Sequence, residues 1–255
     1  MKKLSIVIPV YNEIVYIEEI ICLILNLAVP TEWNLTKEII IVDDCSTDGT
    51  REVLAGIRQA KKEGRATFFL QRKGLDVDVS GIEVLFHERN AGKGAALRTA
   101  FRQADGDVIA VQDADLEYDP DDLIGLIGLI VKNKADIVYG SRFYGKPHRV
   151  LYFYHRLGNQ IITDLVNLLC NVNLTDVETC YKVFRKEVLN EIELVSNDFG
   201  FEVEFAVKTT MAKRWRIYEA GIAYYGRTYS EGKKIDWKDG LKALWYVLKF
   251  RFLSR

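Results

Sequence analysis

The sequence has few cysteines, few histidines, no long apolar run and no excess of one charge. Its four cysteines show no C-x-x-C spacing, so neither a disulfide framework nor a zinc site is expected, and a reducing cytosol is favoured. The longest apolar stretches, 20–29 and 161–172, contain Asn or Asp and are shorter than the ~20 residues that a membrane-spanning helix needs. Met1-Lys2-Lys3 precedes only one short strand-like run, which predicts no signal peptide.

The net charge and the length of the chain further narrow the class of protein that is expected. A formal net charge of −1 gives no reason to expect nucleic acid as a main partner. The three histidines, His87, His148 and His155, lie outside the motif loops described below, so none is an obvious catalytic base. A chain of 255 residues with 49% hydrophobic content can bury a large core. It is therefore expected to form one compact α/β enzyme domain.

Four strand–loop–helix units follow one another in the first half of the chain. Apolar runs at 4–10, 39–42, 84–86 and 107–111 read as buried strands, and each leads through a polar loop into a helical pattern. Such repetition predicts a mostly parallel sheet with helices on its faces. Its polar loops are expected to gather at the carboxyl ends of the strands, where open α/β sheets bind ligands.

The fourth unit ends in two acids separated by one residue, Asp113 and Asp115. Side chains two residues apart at the end of a strand point in a similar direction. Divalent cations such as Mg²⁺ and Mn²⁺ take oxygen ligands and often share them with substrate phosphates. This pattern suits a metal–diphosphate, and the alternative is a solvated acidic turn before a helix that begins near Pro120.

Four motifs occur in a fixed order and together resemble a known family. They are Val10-Tyr11-Asn12-Glu13, the segment 42–50 (VDDCSTDGT), Asn90-Ala91-Gly92-Lys93-Gly94 and Asp113-Ala114-Asp115. This set resembles the signature of family 2 glycosyltransferases, especially dolichyl-phosphate mannose synthases and related polyprenyl-phosphate glycosyltransferases, over about residues 4–234. The resemblance implies a Rossmann-like GT-A fold: a domain at 1–235, with a nucleotide-sugar half at 1–120 and an acceptor half at 121–235, followed by an amphipathic helix at 236–255.

The resemblance also implies which residues bind the nucleotide sugar. Tyr11 is expected to stack on a base, and Glu13 to accept hydrogen bonds from a ribose or base edge, unless Glu13 only faces the positive end of the next helix. The predicted nucleotide-sugar-binding set is Pro9, Tyr11, Glu13, Asp44, Lys93, Asp113, Arg227 and Lys234. The last two belong to a basic loop that is expected to close over the donor diphosphate.

The implied metal is Mg²⁺ or Mn²⁺, held by Asp113, Asp115 and Glu117. Asp115 is expected to be a direct ligand, whereas Asp113 binds either the ribose or the metal through water. Relatives often carry Gln at the position of Glu117. That carboxylate either strengthens metal binding or caps the helix near Pro120.

The identity of the acceptor depends on the groups in the second half. Arg142 and Arg156 are predicted to bind an acceptor phosphate, which is already anionic and needs cations rather than a base. A sugar hydroxyl would need a general base, for which Asp176 is the best candidate if it is not simply a turn residue. The predicted catalytic set is Asp176, Arg142 and Arg227. Glu202 or Glu204 is a further group that could face the sugar.

The expected function is inverting transfer of a hexose from a nucleotide sugar, of the GDP-mannose or UDP-glucose type, to a polyprenyl phosphate. One alternative is transfer to a saccharide hydroxyl in the synthesis of a cell-surface polysaccharide. The other is nucleotide-sugar binding without catalysis. Loss of the metal acids or of the basic loop would be expected in such a binder, and this sequence retains both.

Two segments lie outside these motifs. The stretch 72–83 has no counterpart in most relatives and is expected to form an extra hairpin or loop. Within 237–253, one helical face carries apolar residues and another carries Lys238, Lys242 and Lys249. The apolar face consists of Trp237, Leu241, Leu244, Trp245, Leu248 and Phe252. This helix either lies on the cytoplasmic face of a membrane as a peripheral contact or packs on the domain.

Overall fold

Strands and helices alternate along the chain in the computed structural model, which describes residues 3–232 and 237–253 and, at Trp237, the backbone only. The strands are β1 (Lys3–Val10), β2 (Thr36–Asp43), β3 (Thr67–Leu70), β4 (Leu75–Asp78), β5 (Ile82–Phe86), β6 (Val108–Val111), β7 (Ile137–Ser141), β8 (Lys182–Arg185) and β9 (Ile217–Gly221). The helices are α1 (Ile17–Asn26), α2 (Thr50–Lys62), α3 (Lys93–Gln103), α4 (Asp122–Val131), α5 (Phe153–Cys170), α6 (Gly200–Met211) and α7 (Trp237–Leu248).

Seven of the described strands form one sheet in the order β5-β2-β1-β6-β8-β7-β9. All neighbours are parallel except β8, which runs antiparallel to both β6 and β7. Helix α3 packs against β1 and β2, and α4 packs against β6, β7 and β8. The predicted α/β architecture, a mostly parallel sheet flanked by helices, is confirmed.

The central strands are apolar because they are covered on both faces. Every residue of β1 from Leu4 to Val10 is buried, as are all four residues of β6. Strands that are buried on both faces of a parallel sheet read as continuous apolar runs rather than as alternating patterns. The apolar runs in the sequence therefore located the middle of the sheet.

The segment that interrupts the family pattern, 72–83, contributes the turn and the second strand of a hairpin. Strands β3 and β4 pair in antiparallel fashion, with Thr67 opposite Asp78 and Leu70 opposite Leu75. Its turn is anchored on α1, since the buried carboxylate of Glu18 accepts hydrogen bonds from the backbone N–H groups of Arg72 (2.7 Å) and Lys73 (3.1 Å). An extra hairpin was one of the two forms expected here.

Helix α7 packs on the domain through a narrow face. Ala243, Val247 and Phe250 are buried, and the helix contacts α5 and α6. Leu244, which the sequence placed on the apolar face, is only partly exposed and packs against the core. Among the residues that the structure describes, no helix is both long and apolar enough to cross a membrane. The boundaries at 120 and 235 stay predictions.

Candidate active site

Three strand-end loops meet at one edge of the sheet. Val10 at the end of β1 pairs with Asp43 at the end of β2, and Val111 at the end of β6 pairs with Val7. Because these strands are parallel, their carboxyl ends lie on the same side. The loops that follow them bring together four of the predicted acidic site residues, namely Glu13, Asp44, Asp113 and Asp115.

The first two loops are tied to each other by polar side chains. Asn12 donates its backbone N–H to Ser46 Oγ (2.9 Å), and its side-chain Oδ1 accepts from the backbone N–H of Thr47 (2.8 Å). Asp48 accepts from the backbone N–H of Ile14 (3.1 Å). Asn12 also has φ +52°, a left-handed conformation that Asn tolerates better than most residues. These motif residues therefore shape the edge that the acids occupy.

Asp44, a predicted nucleotide-binding residue, holds the loop between β5 and α3 in place. Its carboxylate accepts from the backbone N–H groups of Ala91 (2.9 Å) and Gly92 (2.7 Å) and contacts His87 Nδ1 (2.6 Å). Gly92 has φ +93°, and a Cβ there would lie 2.3 Å from the carbonyl oxygen of Asn197. Glycine is thus required at position 92, because a side chain there would prevent the close approach of this loop to the backbone of Asn197.

Pro9 and Tyr11 differ in how far they reach the edge. Pro9 is buried inside β1, opposite Val42. Tyr11 follows the end of the strand and is 38% exposed. Tyr11 therefore offers a ring at the surface of the site, whereas Pro9 shapes the strand beneath it.

Lys93 lies between two carboxylates. Its Nζ is 2.8 Å from Asp113 Oδ2 and 2.8 Å from Glu202 Oε1. Burial lowers the pKa of Lys93, but the charges of Asp113 and Glu202 outweigh burial and hold the pKa well above its ordinary value. The other oxygen of Glu202 is buried without a hydrogen-bond partner among the described residues. Lys93 therefore connects the D-x-D motif to α6, and of the two acids predicted to face the sugar, Glu202 is the one at this site.

Arg227 lies among three acids. Its Nη2 is 2.9 Å from Asp115 Oδ2, its Nη1 is 3.3 Å from Glu13 Oε2, and its Nε is 3.5 Å from Glu117 Oε1. Its backbone N–H also donates to Glu117 Oε1 (2.7 Å). The structure thus joins residues that are more than two hundred positions apart. Lys234, the other predicted residue of the basic loop, lies outside the described residues.

The charge around Asp115 suits a cation. Burial, followed by the charges of Asp113 and Glu117, raises the pKa of Asp115 to about 7, and Arg227 opposes this rise. Among the described residues, no three acidic, histidine or cysteine side chains converge in the manner of a formed metal site. The oxygen donors nevertheless fit Mg²⁺ or Mn²⁺ chemically, and the guanidinium among them shows that the site accommodates positive charge.

On the acceptor side, Arg142 is held by Asp176. Its Nε and Nη2 each lie 2.7 Å from one oxygen of that carboxylate, and Nη2 is also 3.2 Å from Asn159 Oδ1. Asp176 is fully buried, and its Oδ2 also accepts from the backbone N–H of Arg142 (3.1 Å). Both oxygens of Asp176 are thus used to orient Arg142, and its role as a base stays a prediction.

Arg142 and Arg156 share an aromatic neighbour. Their guanidinium carbons lie 5.7 Å and 5.5 Å, respectively, from the centre of the Phe143 ring. Within the described part of the chain, neither Nη1 of Arg142 nor the guanidinium of Arg156 has a hydrogen-bond partner. Two guanidinium groups therefore lie on one ring with free donors, as a phosphate site requires.

Two residues of the site were not found by sequence reasoning. The Tyr224 hydroxyl donates to Glu117 (3.2 Å), and its ring centre lies 5.3 Å from the guanidinium carbon of Arg142, so Tyr224 links the two halves. Burial raises the pKa of Glu178 to about 7, with Arg142 opposing the rise and Glu202 and Asp176 adding to it. Its position two residues after Asp176 was the available signal for Glu178. Tyr224 had none, because its neighbours come from distant segments.

A family model described as glycosyl transferase family 2 matches residues 5–193. The chain is 29% identical over 239 residues to the dolichol-phosphate mannosyltransferase of Pyrococcus furiosus, covering 91% of this chain and 60% of that protein. It is 24% identical over 233 residues to the dodecaprenyl-phosphate galacturonate synthase of Rhizobium johnstonii, covering 91% and 61%. The chain thus spans about three fifths of the length of these two relatives.

The fold is also similar to solved structures. Glucosyl-3-phosphoglycerate synthase from Mycobacterium tuberculosis, in its complex with Mg²⁺ and uridine diphosphate, superposes with a TM-score of 0.66 at 18% identity. The alignment covers 98% of this chain and 79% of that one. At this identity the likeness concerns the fold, and it confirms the expected GT-A arrangement.

Proposed function

Because the chain belongs to glycosyl transferase family 2, we propose that it transfers a hexose, with inversion, from a nucleotide sugar to a polyprenyl phosphate. The proposed donor is of the GDP-mannose or UDP-glucose type. The names of the two relatives, a dolichol-phosphate mannosyltransferase and a dodecaprenyl-phosphate galacturonate synthase, support a polyprenyl-phosphate acceptor. The proposed activity is that of the whole protein, since this chain spans about three fifths of the length of the two relatives.

The observation that carries the proposal is the pair of guanidinium groups on Phe143. Arg142 is fixed by two hydrogen bonds to the buried Asp176 and keeps Nη1 for a ligand. Arg156 contributes a second guanidinium from α5. A phosphate monoester is mostly ionised at neutral pH, so such an acceptor needs cations to bind it and no base to deprotonate it.

The donor half would hold the leaving diphosphate. Asp115 and Glu117, with Asp113 beside them, are the proposed ligands of Mg²⁺ or Mn²⁺. When bound, the cation would stabilise the negative charge that develops on the leaving nucleotide. Arg227 is the proposed residue of this chain that shares in that stabilisation. Glu13, Tyr11, Asp44, Lys93 and Pro9 are proposed to form or support the nucleotide pocket, together with Lys234.

A saccharide hydroxyl is the second candidate acceptor, and one observation favours it. Glu178 has a pKa raised to about 7 by burial, which is where a general base works best near neutral pH. Asp176 is less suited to this role because both of its oxygens bind Arg142. The two acceptor classes thus depend on different residues, namely Arg142 for a phosphate and Glu178 for a hydroxyl.

We further propose that the protein contacts the cytoplasmic face of a membrane through 237–253 and the adjacent α5. On α7 and the turn that follows it, Leu241, Trp245, Leu248 and Phe252 are exposed although the opposite face is packed. Exposed apolar residues continue along α5 and the segment before it: Val150, Phe153, Tyr154, Leu157, Ile161 and Leu168. Because α5 and α7 contact each other, exposed apolar residues on both helices suit an interaction site.

Basic groups flank this surface. Lys238 and Lys242 are exposed on α7, and Arg156 is exposed on α5. Apolar residues beside Lys and Arg suit the interface of an anionic bilayer. Since Arg156 also belongs to the proposed phosphate site, the surface would place that site next to the membrane that holds a lipid acceptor.

The transfer itself is tested with radiolabelled nucleotide sugars, Mg²⁺ or Mn²⁺, and two acceptors, a short-chain polyprenyl phosphate and the corresponding polyprenol. Label is expected in the lipid product only when the phosphate is present. Arg142→Ala and Arg156→Ala should lower this activity. Arg65→Ala should not, because it removes the same charge from an exposed position outside the site.

Two outcomes would overturn the assignment of a lipid acceptor. If label passes to a saccharide and not to polyprenyl phosphate, and if Glu178→Gln is more damaging than Arg142→Ala, the acceptor is a hydroxyl. If no acceptor is labelled by any donor although nucleotide sugars bind, the protein is a binder without catalysis.

A further inference from the structure

Arg227 occupies the space in which the proposed divalent cation would bind. Its guanidinium lies among Asp115, Glu117 and Glu13, and its side chain is only 12% exposed. Asp115 and Glu117 are also the residues proposed to bind the divalent cation. A cation and this guanidinium cannot both occupy the space between the same carboxylate oxygens.

The fit of Arg227 to this position is loose. A guanidinium binds a carboxylate best through two parallel N–H···O contacts, as Arg142 does with Asp176. Arg227 instead makes one contact with each of three acids, and two of these contacts are 3.3 and 3.5 Å long. Its Nε is buried without a hydrogen-bond partner among the described residues. The guanidinium thus neutralises these acids without the geometry that Arg142 achieves.

Withdrawal of the side chain would leave the loop attached. The backbone N–H of Arg227 donates to Glu117 (2.7 Å), and the backbone N–H of Tyr225 donates to the carbonyl of Glu117 (2.8 Å). These bonds do not involve the guanidinium. Rotation about the side-chain bonds is therefore sufficient to withdraw the guanidinium from Asp115 and Glu13 while the loop stays in place.

We infer that Arg227 is an internal counter-cation of the metal site and exchanges with the divalent cation. In the metal-free protein it neutralises Asp115, Glu117 and Glu13. With a divalent cation held by Asp115 and Glu117, the guanidinium would leave these two acids and become available to the donor diphosphate. The inference rests on the proposed function for the diphosphate and on the observed contacts for the exchange.

The first test measures Mn²⁺ binding without nucleotide, by isothermal titration calorimetry and by the electron paramagnetic resonance signal of free Mn²⁺. Arg227→Gln removes the competing cation and should tighten Mn²⁺ binding by about tenfold or more. Arg227→Lys keeps a competing charge and should stay near the parent protein. Arg65→Gln is the matched control, because Arg65 pairs with Glu63 and contacts none of the three acids.

The second test uses the unmodified protein and so does not depend on the folding of a variant. Phenylglyoxal labels accessible arginines, and peptide mass spectrometry reports the rate at each one. Mn²⁺ alone should accelerate labelling of Arg227 severalfold, and addition of uridine or guanosine diphosphate should then protect it. Arg65 and Arg149 in the same digest should keep constant rates.

The outcomes separate the exchange from the proposed reaction. Unchanged or weaker Mn²⁺ binding by Arg227→Gln would overturn the exchange, as would labelling of Arg227 that Mn²⁺ slows or leaves unchanged. If both metal measurements behave as expected but no nucleotide protects Arg227, the exchange stands and the proposed donor site is wrong.

Discussion

At the scale of single residues, Asp115 is the acid on which the metal proposal depends most. It contacts Arg227, and burial raises its pKa to about 7. Asp115→Ala should lower kcat by about 100-fold or more, because the loss of a direct ligand removes charge stabilisation of the leaving group. The metal dependence of nucleotide binding should disappear as well. Kinetics at saturating donor and titration of nucleotide with and without Mn²⁺ measure both effects.

The control for this variant is Asp105→Ala, since the Asp105 side chain is 76% exposed. Near-normal turnover of Asp115→Ala at saturating donor would show that the metal assignment is wrong. Loss of activity in both variants would point instead to a general effect on the fold.

Glu178 connects a pKa to the stability of the protein. Burial raises its pKa from 4.5 to about 7. Between these values the folded protein binds more protons than the unfolded chain, so the stability that this group provides below pH 4.5 is lost as the pH rises to about 7. The side chain that Glu178→Gln introduces carries no charge at any pH. The variant should raise the free energy of unfolding by roughly 1–3 kcal/mol at about pH 8 and change it little at about pH 4.

Urea unfolding at the two pH values measures this difference, with the exposed Glu32→Gln as control. Equal effects of Glu178→Gln at both pH values would contradict the raised pKa. The Glu178→Gln variant also tests the class of the acceptor. If Glu178 is a general base, the variant should lose activity, whereas a purely structural role predicts that activity is kept.

At the scale of secondary-structure elements, the exposed face of α7 is the feature to test. Trp245 is 55% exposed and Leu241 is 57% exposed, while Val247 on the other face is buried. The double change Leu241→Ser and Trp245→Ser should leave folding intact and reduce co-sedimentation with anionic liposomes severalfold, because it removes apolar area that would enter the interface. Binding of the parent protein should weaken at high salt.

Phe69→Ser supplies the control, since Phe69 is 50% exposed on the added β3–β4 hairpin. If the parent protein stays in the supernatant with anionic lipid at low salt, the apolar face serves another purpose. If Phe69→Ser is as damaging as the double change, the contact is not specific to α7.

At the scale of the whole molecule, α7 belongs to the core of the domain. Phe250 and Val247 are almost fully buried, and the guanidinium of Arg251 donates to the carbonyl of Leu169 at the end of α5 (2.9 Å). Truncation after Lys234 removes these contacts. It should lower the free energy of unfolding by at least about 3–5 kcal/mol, the typical effect of losing one buried Phe.

Thermal and urea unfolding of the truncated protein measure this loss, beside the double variant at Leu241 and Trp245. The truncated protein is expected to unfold at lower temperature, whereas the double variant should not. Equal stability of the truncated and parent proteins would mean that α7 is an independent appendage and does not contribute to the core.

The sequence by itself determined the alternation of strands and helices in the first half of the chain and the edge of the sheet at which the acids lie. Continuous apolar runs marked β1, β2 and β6, and the polar loops after them carried Glu13, Asp44, Asp113 and Asp115. These features depend on local periodicity and on the direction of parallel strands, so they can be derived without knowing any contact.

The tertiary structure alone decided which charges meet. Arg227 contacts Asp115 and Glu13, Tyr224 joins Glu117 to Arg142, and Lys93 lies between Asp113 and Glu202. It also decided that α7 packs on the domain through one face and exposes apolar residues on the other, which the sequence pattern did not resolve. Such pairings depend on how distant segments pack, and their energies depend on burial, which neither spacing nor composition specifies.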